Sequence, residues 1–465
     1  MFTLRLRVPV VVVFSAASLL GLVSCTTHKE SPPQIPANIQ AIFNKPAYQG
    51  AVWGLRAIDL DSGRTLIDVQ PDYHFLIGSV RKVFSVGELL NQIGPDYHYD
   101  TPVYRKGSID GSGVLKGDLI LVASGDLTMG GRRNSDGSIA VSNWDHNEAD
   151  ALGNAVLTAP DPLAGYKEIA RQIAGSGIKE VKGEVVIDDR LFQPFDFREQ
   201  FDVRPVFVND DAVDVSINPT GKGKPASMTH RPESAALAVK NNLMMGGSEM
   251  NVAMNPELPS CIGQPGCAGT VAGNLPMEFV PPFTGKYPLV RTFRIVQPSN
   301  YARTVLIEAL KAAGVKVDAP IVEANPTRLL PAKNSYSASD QVAKLTGMTY
   351  INDARLILKI SYNIGADTSL VLYGLTQNVD NMKDALVAEK KNLSANYGIA
   401  DTAYSFVDGS GGGNDVGVAR RTTSAINPIP MLNAKPNNSK SNTGIKSHVF
   451  TLCVIYAPCS RDQMG

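Results

Sequence analysis

Hydrophobic and polar residues alternate through Ala51-Val-Trp-Gly-Leu-Arg-Ala-Ile-Asp-Leu60, stop at Asp61-Ser62-Gly63, and alternate again from Arg64 to Val69, the pattern of a β-hairpin. Ahead of it, Ala37 to Phe43 reads as a short helix. From Ser79 to Ile93 the apolar positions Val83, Phe84, Val86, Leu89, Leu90 and Ile93 fall on one broad helical face, and Gly94-Pro95 ends the helix. Between about 98 and 325 the texture changes to short strands, Gly-rich turns and one clear helix near Tyr166 to Ile173. Leu115 to Ala123 and Val181 to Asp189 read as strands there. Helices resume at Asn300 to Ala313, and again from about Gln341 to Leu375. The pattern predicts an α/β part at each end of the chain with a mostly β part inserted between, and there is no internal repeat.

The first thirty residues stand apart. Arg5 and Arg7 precede an apolar stretch from Val8 to Val23, which gives way to Ser24-Cys25 and then to Thr26-Thr27-His28-Lys29-Glu30. A basic start, an apolar core and small residues at the end predict a secretory signal. Leu22-Val23-Ser24-Cys25 also resembles the lipobox of bacterial lipoproteins, which implies a lipid on Cys25, cleavage before it and a periplasmic, membrane-anchored protein; plain cleavage near Ser24 is the alternative. Ser31 to Pro36, with three prolines, then reads as a tether. No later segment approaches the ~18 to 20 consecutive apolar residues that span a bilayer. Lys plus Arg and Asp plus Glu number 44 each, and without a basic excess nucleic acid is not expected as a partner.

With Cys25 set aside, four cysteines remain, as the close pairs Cys261/Cys267 and Cys453/Cys459. The turn-rich loop Ile-Gly-Gln-Pro-Gly between the first two makes a local disulfide plausible in an oxidising compartment. The six histidines are scattered singly, so no metal site and no cofactor is expected.

The sharpest chemical pattern is Ser79-Val80-Arg81-Lys82. A serine hydroxyl needs a neighbouring base to act as a nucleophile, and residues three apart share a helix face, so Lys82 can reach Ser79. Ser176-Gly-Ile-Lys179 repeats the spacing, but it sits between glycines at a helix end and reads as a solvated turn. A second element is Ser361-Tyr362-Asn363, a polar pair within an apolar run where one helix ends and the next begins. Ser216-Ile-Asn218 and Ser394-Ala-Asn396 match the same loose pattern, and helix capping is the alternative role for Ser361 and Asn363.

Ser-x-x-Lys followed by Ser-x-Asn resembles the motif set of penicillin-binding proteins and serine β-lactamases. More of the chain is similar to the D-Ala-D-Ala carboxypeptidase/endopeptidase family of low-molecular-mass class C: Gly50 to Gly63, Phe75 to Asp100, Leu115 to Leu127, Gly177 to Phe192 and Phe406-Val-Asp-Gly-Ser-Gly411. The two motif serines lie 282 residues apart, a spacing that resembles this family with its large insertion. The resemblance implies an α/β fold, a serine transpeptidase/β-lactamase-like domain interrupted by a large β-rich insertion. The expected division is a lipoprotein-type signal at 1–25, a tether at 26–36, transpeptidase-like parts at 37–97 and 326–420, inserted β-rich domains at 98–325 and a divergent tail at 421–465. It implies peptidoglycan stem peptides as substrates and β-lactams as covalent inhibitors. Ser79 would attack the carbonyl, Lys82 would be the base, Ser361 would pass the proton to the leaving amine, Asn363 would bind the substrate amide, and the Ser79 backbone N–H would face the oxyanion.

One departure stands out. The family's third motif, Lys-Thr-Gly, lies on a strand lining the cleft, where its lysine helps to bind the substrate carboxylate, and this chain has neither Lys-Thr-Gly nor Lys-Ser-Gly. The nearest text is Ser439-Lys440-Ser441-Asn442-Thr443-Gly444, followed by the strand-like His448 to Tyr456. It reads either as a degenerate motif on a true strand or as a replaced native end. The leading expectation is a peptidase. A silent peptidoglycan-binding protein of the same fold is the alternative, and a β-lactamase is disfavoured by the long insert.

Overall fold

The computed structural model describes residues 35–59, 62–413 and 415–418, and the backbone of 449–456. A short helix, α1 (Ala37–Phe43), leads to the hairpin β1 (Val52–Asp59) and β2 (Thr65–Val69), paired antiparallel as the alternation predicts. On its other edge β1 is paired along its whole length, antiparallel, by β20 (Val449–Tyr456). The strand expected after His448 is therefore present as backbone. Lys440 to Gly444 lie outside the described residues.

Strand β3 (His74–Leu76) feeds a single 3-10 turn, Gly78–Val80, and then helix α2 (Arg81–Ile93). Gly94 stops the helix at φ 85°, a conformation that costs glycine nothing and a side chain about 1 kcal/mol or more. Beyond it, β4 (His98–Ile109) and β5 (Val114–Val122) form an antiparallel ribbon. β5 is joined in parallel by β6 (Glu180–Val181) and β7 (Val185–Asp188), and β6 by β16 (Lys316–Val317). The segment read as one strand from Val181 to Asp189 is thus two, parted at Lys182 to Glu184, where Gly183 donates its N–H to the Gly117 carbonyl at 3.0 Å.

The other edge of this sheet corrects the sequence reading. Residues 341–349 are not the start of a helix but strand β17 (Gln341–Thr349), antiparallel to β4. Ala343 and Leu345 face inward and Lys344 and Thr346 outward, a period of two that a helix cannot satisfy. The sheet therefore runs past residue 325, where the insertion was expected to end.

The rest of the middle region is small sheets: β10 (Ala212–Asn218) between β11 (Ser227–Arg231) and β15 (Leu289–Arg294), and β14 (Ala268–Leu275) between β12 (Ala238–Met245) and β13 (Asn251–Asn255). A one-turn helix, α3 (Ala149–Leu152), lies against β15. Helices α4 (Ala164–Gly175) and α5 (Pro298–Ala312) pack around a core that includes Leu119, Tyr166, Val215, Phe293 and Leu306. Cys261 and Cys267 are joined in a disulfide, as expected.

A second core assembles the helices. β17 passes directly into α6 (Tyr350–Ile360), which is followed by α7 (Asn363–Thr376) and α8 (Met382–Tyr397). Every residue from Ile364 to Gly374 is buried, so α7 is a central helix covered on all sides. Leu89, Leu90, Leu356, Ile357, Leu370 and Val371 form this core, and Phe195, Phe197 and Phe201 of the hairpin β8 (Phe195–Phe197) and β9 (Phe201–Val203) pack into it from the middle of the chain. The chain then returns through β18 (Tyr404–Ser405) and β19 (Val416–Val418), which pairs with β3 just ahead of Ser79. Among the described residues no helix is long and apolar enough to cross a membrane.

Candidate active site

Ser79 is exposed in the 3-10 turn that opens α2, and Lys82 follows one turn later, buried. Across from them α6 ends at Ser361, whose left-handed backbone (φ 59°, ψ 37°) reverses the chain so that Asn363 begins α7. That conformation costs a non-glycine residue about 1–2 kcal/mol, a strain held by the buried helices on either side. It aims the hydroxyl back at α2, and Ser361 Oγ donates to Ser79 Oγ at 2.7 Å.

Lys82 Nζ has three neighbours, all acceptors: Ser79 Oγ at 2.9 Å, Asn363 Oδ1 at 2.6 Å and the Ser410 carbonyl at 2.7 Å. An ammonium has three donors, and these contacts use all of them. Burial, helped by Arg198, outweighs Asp367, Asp408 and Glu148, which favour the ammonium, and leaves the Lys82 pKa lowered from 10.5 to about 8. On losing one proton, Lys82 keeps two N–H donors for Asn363 and Ser410, and its lone pair faces the Ser79 hydroxyl. The four residues read from sequence thus form one hydrogen-bonded group. Ser176 does not join them; its hydroxyl donates to the Ile173 carbonyl at 2.7 Å in an exposed turn.

The Ser410 carbonyl was missed. Phe406 to Gly411 is a recognisable stretch, but a backbone acceptor leaves no residue-type signal. Its loop is fixed by Asp408, whose carboxylate accepts from the backbone N–H of Ser410 (2.8 Å) and Gly411 (2.6 Å). Asp367 accepts from Gly409 N–H at 2.8 Å, and Ser85 Oγ donates to the Gly409 carbonyl at 2.6 Å. Gly411 has to be glycine, since a Cβ there would lie 1.9 Å from the Gly78 carbonyl oxygen. Arg81, beside Lys82, donates to the Asp408 carbonyl (2.7 Å) and to both oxygens of the buried Glu389 (2.8 and 2.6 Å), tying the loop to α2 and α8.

A cleft beside Asn363 is lined by Asn147, Glu148, Phe197, Arg198, Glu257 and Arg294 among others, so the middle of the chain supplies most of one wall. Asp145, His146 and Asp210 could offer a metal three ligand atoms, but the Arg132 guanidinium is already bonded to both carboxylates, and the group is an ion network. Cys25 lies outside the described residues.

A model of the D-Ala-D-Ala carboxypeptidase 3 (S13) family matches residues 35–426. A D-alanyl-D-alanine carboxypeptidase of Actinomadura sp. is 23% identical over 304 residues, 61% of this chain and 48% of that protein, so the chain spans about half the length of this curated relative. The crystal structure of penicillin binding protein 4 from Haemophilus influenzae superposes with a TM-score of 0.61 at 16% identity, covering 86% of this chain and 79% of that one. The same protein complexed with a β-lactam gives 0.56 at 17%, over 83% and 76%. At such identities the likeness is one of fold. The family match, by contrast, spans both motif serines, Lys82 and the loop that closes on it, and the chain belongs to the D-Ala-D-Ala carboxypeptidase 3 (S13) family.

Proposed function

We propose that this chain is an exported serine D-Ala-D-Ala carboxypeptidase or endopeptidase that acts on peptidoglycan stem peptides through an acyl-enzyme on Ser79 and is inhibited by penicillin. The observation that carries the reading is the contact of a buried, pKa-lowered Lys82 with Ser79, with two further acceptors fixing its orientation. Neutral Lys82 takes the Ser79 proton as Oγ attacks the carbonyl of the penultimate D-Ala. The Ser79 N–H faces the developing oxyanion. Ser361 relays a proton to the departing amine, and Asn363 holds the substrate amide through the N–H it has to spare. Water then releases the acyl group by the reverse proton path. Penicillin would acylate the same hydroxyl and stay.

The test is D-Ala release from a stem pentapeptide ending in D-Ala-D-Ala, with the Ser79→Ala protein as blank. Release by the parent and none by the variant supports the reading. Peptide binding without release would support the second reading, a silent peptidoglycan-binding protein, which the missing Lys-Thr-Gly favours. The address is a separate proposal: Cys25 is the lipid-bearing first residue of the mature protein. Mass spectrometry of the N-terminal peptide checks it, and an unmodified Cys25 inside a longer mature chain would overturn it.

A further inference from the structure

Asn363 does not orient itself. The two ends of an asparagine amide are nearly the same size, so its neighbours decide which end points where. Here Oδ1 faces Lys82 Nζ at 2.6 Å, and Nδ2 donates to Glu148 Oε1 at 3.0 Å. Glu148 belongs to neither motif. It ends a single 3-10 turn, His146–Glu148, in the inserted region, far from Asn363 in sequence.

A buried ion network fixes that turn. Arg132 donates to both oxygens of Asp145 (2.7 and 2.9 Å) and, through Nε, to Asp210 at 2.8 Å. His146 bridges Asp210 (2.8 Å) and Asp214 (2.6 Å), and Arg231 reaches Asp214 at 3.1 Å. Asp145 also caps the turn, accepting from Asn147 N–H at 3.2 Å. These aspartates are balanced by Arg132, Arg231 and a histidine that burial lowers but Asp214, Asp210 and Asp145 raise, to about 9. Such a cluster is costly to disturb, because removing one member leaves charges buried without partners. Glu148 is therefore presented to Asn363 from a rigid base.

We propose that Glu148 is a positioning residue for the active site, holding the Asn363 amide with its oxygen toward Lys82 so that the lysine lone pair is left for Ser79. The inference rests on Lys82 as the base. Without Glu148 the amide is free to turn its NH2 toward Lys82, setting donor against donor and misplacing the nitrogen that attacks the Ser79 proton. Glu148 also acts through its charge. The groups facing Lys82 are Asp367 on α7, Asp408 on the loop before β19, Arg198 at the tip of the β8–β9 hairpin and Glu148; of these only Arg198 opposes the ammonium form. Loss of the Glu148 charge thus lowers the Lys82 pKa while loss of its hydrogen bond spoils the geometry.

The two effects separate in Glu148→Ala and Glu148→Gln. In Glu148→Gln the introduced amide carbonyl still accepts from Asn363 Nδ2, but the side chain carries no charge. The experiment measures acylation by a fluorescent penicillin across pH, together with the titration of the Lys82 ε-carbon by NMR in lysine-labelled protein, assigned with Lys82→Ala. In Glu148→Ala acylation should fall by roughly 10- to 100-fold, the scale of a small misplacement of a reacting group, while the Lys82 titration moves to lower pH. Glu148→Gln should recover most of the rate and keep the lowered titration. A wild-type rate and titration in Glu148→Ala would overturn the proposal. So would equal rate losses in both variants with the Lys82 titration unmoved, which is the result of a purely structural residue. If the parent protein is not labelled at all, the acyl-enzyme reading fails, and the NMR arm still decides whether Glu148 is coupled to Lys82.

Discussion

At the scale of single residues the account turns on one proton. Lys82 at about 8 is mostly charged at pH 7, and only the neutral amine can take the Ser79 proton. Acylation by penicillin should therefore rise with pH and level off above about 8, and a rate flat from pH 6 to 9 would place the base elsewhere. Lys82→Arg keeps the charge, but a guanidinium does not deprotonate in this range, so acylation should fall by roughly 10²–10⁴-fold, the usual value of general-base help. Stopped-flow or gel labelling reads it directly, and a wild-type rate would contradict the role. Ser79, Lys82, Ser361 and Asn363 were legible in sequence because their chemistry depends on residue type at short spacing. Glu148 and the Ser410 carbonyl were not. One is brought to Asn363 by the tertiary fold from 215 residues away, and the other is backbone, which any residue supplies.

At the scale of elements, sequence periodicity found the hairpin, α1, α2 and the break at Ser361, where an apolar run carries a polar pair that only a helix junction can satisfy. It failed at 341–349, where Val342, Ala343, Leu345 and Met348 sit next to a true helix and read as its continuation; the alternation of Ala343 and Leu345 with Lys344 and Thr346 was the signal to read. The Asp145–Glu148 turn makes a prediction at this scale. Arg132→Met strands Asp145 and Asp210 in the interior, and removing one partner of a buried ion pair costs about 3–5 kcal/mol. Urea unfolding measures it, and a loss under ~1 kcal/mol would mean that the network does not anchor the turn. His146 adds a pH dependence. Its folded pKa is raised from 6.5 to about 9, so its contribution is fully present below pH 6.5 and is lost as pH rises through about 9. The parent protein should lose stability over that window more steeply than His146→Gln; equal slopes would contradict it.

At the scale of the whole molecule, the division into a transpeptidase-like domain and a β-rich insertion follows from the long separation of the motif serines, and we propose it as the domain plan. Its boundary is less simple than a cut at 325, since β17 closes the inserted sheet before leading into α6. Sequence could not place that edge, because the pairing of β17 with the distant β4 has no local mark. The far end of the chain carries its own prediction. Strand β20 is paired with β1, but no Lys-Thr-Gly precedes it, and Lys440 is separated from Thr443-Gly444 by two residues. A two-residue offset on a strand keeps the facing side and moves the charge about 6–7 Å. Loss of one partner from a desolvated charge pair costs on the order of 2–5 kcal/mol, roughly 30- to several-thousand-fold in rate. D-Ala release should accordingly be slower than in a version carrying Lys-Thr-Gly at that strand. Equal rates, together with loss of activity in Lys440→Ala, would show Lys440 to be a working substitute.

All of these rest on Ser79 being the residue that attacks. The direct measurement is to treat the protein with labelled penicillin, digest it and locate the adduct by mass spectrometry, in the parent and in Ser79→Ala. The account predicts one adduct, on the peptide carrying Ser79, absent from a Ser79→Ala protein whose unfolding curve matches the parent, since one exposed hydroxyl adds little stability. An adduct on any other residue, or labelling that survives in Ser79→Ala, would contradict it.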